Sequence, residues 1–199
     1  MVRIYNDTDD SYLTVQEYID AYDADDEDVY YVQFIYELTV LFAKAKRRTA
    51  FRGRYAKDEQ GNSLLDRYAM TADEEDFFDE MLELGSGELF NKLLAWTKNV
   101  YKSYQYKADH DFGDGDVSSV QFHITMPTAP YLDLFTTVEA KIDEALVLYT
   151  IKEWYLTNRL MDDYSIEQQR YDELAGEIKS KLMMKAEPTR RRLGFWKDY

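Results

Sequence analysis

Residues 129–185 read APYLDLFTTVEAKIDEALVLYTIKEWYLTNRLMDDYSIEQQRYDELAGEIKSKLMMK, and the parsing of this run decides the fold. Leu132, Phe135, Val138, Ile142, Ala145, Leu146 and Tyr149 recur at three- and four-residue intervals, the period of one helix face. They predict a long helix over 129–160. Met161-Asp162-Asp163 reads as a tight polar turn. Tyr164, Tyr171, Leu174, Ile178 and Leu182 then carry a second helix over 164–185. So short a turn makes the two helices antiparallel neighbours.

Downstream, Pro188 removes a backbone donor and stops the helix. The tail 187–199 that follows is basic and aromatic. Arg190, Arg191 and Arg192 offer planar donors, and Phe195 and Trp196 are residue types that anchor interfaces. An extended docking tail is the expectation.

Upstream, further helices are predicted at 14–23, 28–47, 71–84 and 87–102. Thr14-Val-Gln-Glu17, Thr71-Ala-Asp-Glu74 and Ser165-Ile-Glu-Gln168 have the capping-box pattern. Gly85-Ser86-Gly87 reads as a break between two helices. Residues 48–66 lack sustained periodicity and contain the turn signal Gln60-Gly61-Asn62-Ser63, so an exposed loop is expected there. Between 103 and 126 the pattern changes to alternation. Val120, Phe122, Ile124 and Met126 would share one face of a strand, and an inserted β-hairpin is predicted. A lone hairpin is marginal in water, so it must lean on the helices or on a neighbour. The fold class expected is mostly α: one helical domain over 1–199 with a long antiparallel helix hairpin and a β-hairpin insertion.

Charge is unevenly distributed. Net charge is −15, yet residues 1–43 hold eleven acids against one arginine, while 44–57 hold seven bases and no acid. That block includes Lys46, Arg47, Arg48, Arg52 and Arg54. Strong overall acidity opposes nucleic-acid binding as the main task. The block could still form a local nucleic-acid patch, but it reads rather as a solvated loop, or as a partner for an acidic surface on another copy or another protein. With no cysteine, thiol catalysis, disulfides and thiolate metal sites are excluded. The start lacks an apolar signal-peptide core, and no apolar run reaches the roughly 20 residues that span a bilayer.

Candidate chemistry is thin. Asp109-His-Asp-Phe-Gly-Asp-Gly-Asp116 is dense in oxygen ligands but fails the register of an EF-hand calcium loop, and the same residues suit a hairpin turn. His110 and His123 have no nucleophile motif nearby. No catalytic residue, cofactor or metal is expected, and function is sought in assembly.

Ala145-Leu-Val-Leu-Tyr-Thr-Ile-Lys-Glu-Trp-Tyr155, the second helix with Tyr171, and Pro188 followed by arginines and Phe195-Trp196 resemble head–tail connector proteins of tailed bacteriophages. The likeness covers about a third of the chain and is closest to the adaptor or neck-ring proteins of crAss-like phages. It implies a non-enzymatic virion protein of the neck, assembled in the host cytoplasm as a homo-oligomeric ring of twelve copies. It further implies contact with the portal protein and adjacent neck or tail proteins, no membrane, and DNA passing through the channel without sequence-specific binding. The competing reading is a soluble acidic module that binds one protein partner, for instance by mimicking DNA.

Overall fold

The computed structural model describes residues 2–6, 11–21, 30–94, 107–109, 119–124 and 132–182. The chain is mostly helical, with the predicted hairpin of helices at its centre. Helix α5 (Leu132–Thr157) and helix α6 (Met161–Leu182) are antiparallel, and α4 (Glu75–Leu94) packs against both. The apolar stripe read from the sequence is the buried one: Phe135, Val138, Ile142, Ala145 and Leu146 are almost fully enclosed.

The turn between α5 and α6 lies three residues earlier than expected. Asn158 closes α5, and Arg159 takes the left-handed conformation at φ 59°. Met161, Asp162 and Asp163 are already the first turn of α6, where carboxylates complement the helix dipole. Ser165 accordingly caps nothing and donates to the Met161 carbonyl inside the helix at 2.9 Å. The other two capping boxes form. Glu17 and Glu74 each accept from the backbone N–H and hydroxyl of Thr14 and Thr71, opening α1 (Val15–Ala21) and the 3-10 turn Ala72–Glu74.

Gly85-Ser86-Gly87 does not break a helix; α4 runs straight through it. The reason is packing. A methyl group on Gly85 would lie 2.4 Å from the Tyr149 ring, so glycine lets α4 close onto α5. Ser86 keeps its buried hydroxyl satisfied by donating to the Glu83 carbonyl at 2.8 Å.

The largest departure from expectation is at 28–47. Residues Tyr30–Glu37 form strand β3, and only from Leu38 does the chain turn helical, as α2 (Leu38–Tyr55). Val32, Phe34 and Tyr36 alternate inward, and β-branched and aromatic residues favour the pleated surface over the helix. The basic block is not a loop either. Helix α2 carries it as far as Tyr55; the expected helix already covers 38–47, and the stretch beyond is hidden from a periodicity reading because its inner face is Thr49 and Gly53. Beyond α2 come the turn at Gln60–Gly61 and the short α3 (Leu65–Tyr68).

The predicted hairpin is present as β4 (Lys107–Asp109) against β5 (Ser119–Ile124). It is not isolated. With β1 (Val2–Asn6) and β2 (Ser11–Leu13) it completes a five-stranded antiparallel sheet ordered β2-β1-β3-β5-β4. Ile4, Val32, Phe34, Val120, Phe122 and Ile124 point from the sheet into the same core as the helices. The Tyr36 hydroxyl donates to the Glu139 carbonyl of α5 at 3.0 Å, a polar stitch between sheet and bundle.

One buried polar cluster lies within the helices. The Lys152 side chain is only 4% exposed; its Nζ sits 2.6 Å from Glu153 and 4.1 Å from the Tyr149 ring centroid. Burial, then the negative field of Glu153, pushes the Tyr149 hydroxyl up to about 12.

Candidate docking face

The residues of the basic block divide by whether they pair with an acid of α5 or α6. One flank leans over α5 and α6 and is spent within the chain. Lys44 Nζ lies 2.6 Å from both oxygens of Asp143, and Arg48 meets Glu144 in a two-pronged pair. Arg52 reaches Asp163 through Nη2 at 2.7 Å and Nε at 2.9 Å. Hydrogen bonds to Glu144 and Asp163 hold the Arg48 and Arg52 guanidinium groups more firmly protonated than usual. These pairs fix the rotation of α2 on the bundle.

The other flank faces outward. Arg47, Phe51, Arg54 and Tyr55 fall at i, i+4, i+7 and i+8, opposite the buried Leu38, Leu41, Ala45 and Thr49. Phe51 is 63% exposed and Tyr55 72%, with ring centroids 5.0 Å apart. Among the described residues, Arg47 and Arg54 make no ion pair. Lys46 sits over the Phe42 ring at 5.0 Å. Bulky aromatics flanked by unpaired arginines match the composition of interface anchors, and the pinned helix presents them with little conformational freedom left to lose.

Beside this stripe lies an open groove of about 700 Å³ between α2 and α6, floored by Leu148 and Ile151 of α5 and walled by Phe51. Its charges are balanced internally, since Glu144 pairs with Arg48, Glu167 with Arg170 and Glu177 with Lys141. It offers an apolar surface and no catalytic constellation.

Of the partner-binding residues expected from sequence, Lys46, Arg47, Arg48, Arg52 and Arg54 are brought onto one helix, with Arg48 and Arg52 ion-paired, Arg47 and Arg54 exposed and Lys46 over the Phe42 ring. Arg190, Arg191, Arg192, Phe195 and Trp196 lie outside the described residues, as do His110 and Asp111 to Asp116. Sequence reasoning missed Phe51 and Tyr55, whose four-residue spacing within a basic run was the available signal. It also missed Asp163, assigned to a turn. Among the described residues no three potential ligands gather around a common metal position, and no helix is long and apolar enough to cross a membrane. Comparison with protein-family models, curated proteins and solved structures gives no match for this chain.

Proposed function

We propose that the protein is a non-catalytic structural component of a phage neck, forming a ring between portal and tail that extends the DNA channel. The observation that carries this reading is the outward stripe of α2. Two exposed aromatic rings and two unpaired arginines stand on a helix that Lys44, Arg48 and Arg52 hold to α5 and α6. Such a surface is suited to repeated contact between rigid subunits. The net charge of −15 suits a channel wall that repels phosphate and lets DNA slide. The tail Arg190–Trp196 supplies the portal-gripping element in this scheme.

Electron microscopy and native mass spectrometry of the purified chain, alone and with the portal protein of its own phage, test the proposal. Closed rings of about twelve copies, or incorporation beneath the portal, are expected of a phage connector. A chain that remains monomeric with the portal and instead inhibits a nuclease would replace this reading with the DNA-mimic one.

A further inference from the structure

The outward stripe of α2 has a counterpart on the same molecule. Helix α4 buries Phe78, Leu82, Gly85, Leu89 and Leu93. Its opposite face carries Asp76, Glu80 and Leu84, continued by Asp73 in the preceding 3-10 turn. All four are exposed, Leu84 at 53%. Among the described residues Asp73, Asp76 and Glu80 make no ion pair. One face thus offers free guanidinium groups around aromatic rings, and the other offers free carboxylates around an exposed leucine.

The two faces cannot satisfy each other within one chain. Helices α2 and α4 meet through their inner sides, with the Phe42 and Phe78 rings 4.9 Å apart, so neither outer stripe faces the other helix. Spacing is matched. Arg47 and Arg54 are seven residues apart, as are Asp73 and Glu80, each pair spanning roughly 10 Å along the chain axis.

We infer that the Arg47–Phe51–Arg54–Tyr55 face of α2 docks on the Asp73–Asp76–Glu80–Leu84 face of a second copy of this chain. The inference rests on the ring reading above and names the two surfaces that join in it. Because the surfaces differ, the contact is heterologous: each copy donates one and receives the other, and repetition gives a closed ring or an open filament. Charge complementarity selects the partner. In a chain of net charge −15, like copies repel broadly, and this pairing sets opposite charges together at the point of contact.

Charge reversal tests the contact directly. Two variants are compared with the unaltered chain by sedimentation and native mass spectrometry: Arg47→Glu with Arg54→Glu, and Asp76→Arg with Glu80→Arg. Unchanged circular dichroism confirms that each folds, and Phe51→Ala serves as an uncharged third variant. The unaltered chain is expected to assemble. Each reversal alone weakens assembly by tenfold or more, Phe51→Ala weakens it similarly, and an equal mixture of the two reversals restores it with alternating composition. An unaltered chain that never self-associates, reversals that assemble as well as it does, or a mixture that stays monomeric overturns the inference. Assembly that ignores the reversals yet forms closed rings removes this contact and leaves the ring reading standing. Assembly that obeys them but never closes does the reverse.

Discussion

The Tyr68 hydroxyl donates to Oδ2 of Asp163 at 2.5 Å, deep in the chain, while Arg52 occupies Oδ1 from the solvent side. One carboxylate at the first turn of α6 thereby ties down both α2 and α3. The backbone carbonyl of Tyr68 in turn accepts from the Trp154 indole at 2.8 Å, bringing α5 into the same junction.

Removing that carboxylate strands a buried hydroxyl and a guanidinium together. Asp163→Ala is expected to lower stability by about 2–4 kcal/mol, and Asp163→Asn by less because the amide oxygen still accepts. Urea unfolding of the two variants measures this. A loss below about 0.5 kcal/mol for the alanine variant would show that the junction contributes little.

Alkaline pH attacks the same region. Burial and the hydrogen bond to Asp163 push the Tyr68 hydroxyl up to about 12, and Tyr149 stands at about 12 as well. Both groups keep their protons longer in the folded chain than in the unfolded one, whose tyrosines ionise near 10. Their contribution is complete below pH 10 and is lost as pH climbs toward 12. Absorbance at 295 nm should therefore show a late tyrosinate fraction that ionises together with loss of ellipticity. Ionisation of every tyrosine near pH 10 with the fold intact would contradict this.

The two neighbouring glycines of α4 should respond in opposite directions. Gly85→Ala forces a methyl group onto the Tyr149 ring and is expected to cost about 1–3 kcal/mol. Gly87 has open space where its methyl group would go, so Gly87→Ala should gain up to about 1 kcal/mol from helix propensity. Thermal melts of the pair decide it. Equal shifts would mean that close approach to α5 is not what selects glycine at 85.

Under the proposed neck role, a chain ending at Glu187 should melt like the full chain yet fail to bind the portal protein. Truncated interface anchors of the kind at Arg190–Arg192, Phe195 and Trp196 typically cost about 2 kcal/mol or more each. Pull-down on the portal protein together with a melting curve separates the outcomes. A truncated chain that unfolds would place the tail in its own core, and one that assembles fully would remove the tail from docking.

The helical hairpin was legible because α6 and the first half of α5 bury regularly spaced stripes, although from Ala145 to Lys152 every residue of α5 is buried. The hairpin 107–124 was legible because Val120, Phe122 and Ile124 alternate. Strand β3 was not, since its alternating Val32, Phe34 and Tyr36 run without a break into the helical stripe Leu38, Leu41, Phe42 and Ala45. Only pairing with β1 and β5 separates the two, and that partnership is remote in sequence. The first part of α2, 38–47, lies within the predicted helix; the part from 48 to 55 escaped because its inner face is Thr49 and Gly53, with Thr49 using its hydroxyl to accept from the Met70 N–H at 3.1 Å. The basic block was correctly located, but which cations are spent and which are free depends on acids about a hundred residues away, at Asp143, Glu144 and Asp163.

Strand β3 passes into α2 at Glu37–Leu38 without an intervening loop. The central strand and the helix that bears the exposed rings are consequently one mechanical element. Load applied to Phe51 or Tyr55 travels down the axis of α2 into β3. There it is resisted as shear by hydrogen bonds to β1 on one side and β5 on the other, all strained at once rather than one after another. This continuity gives the chain a stiff load path from its surface to the middle of its sheet.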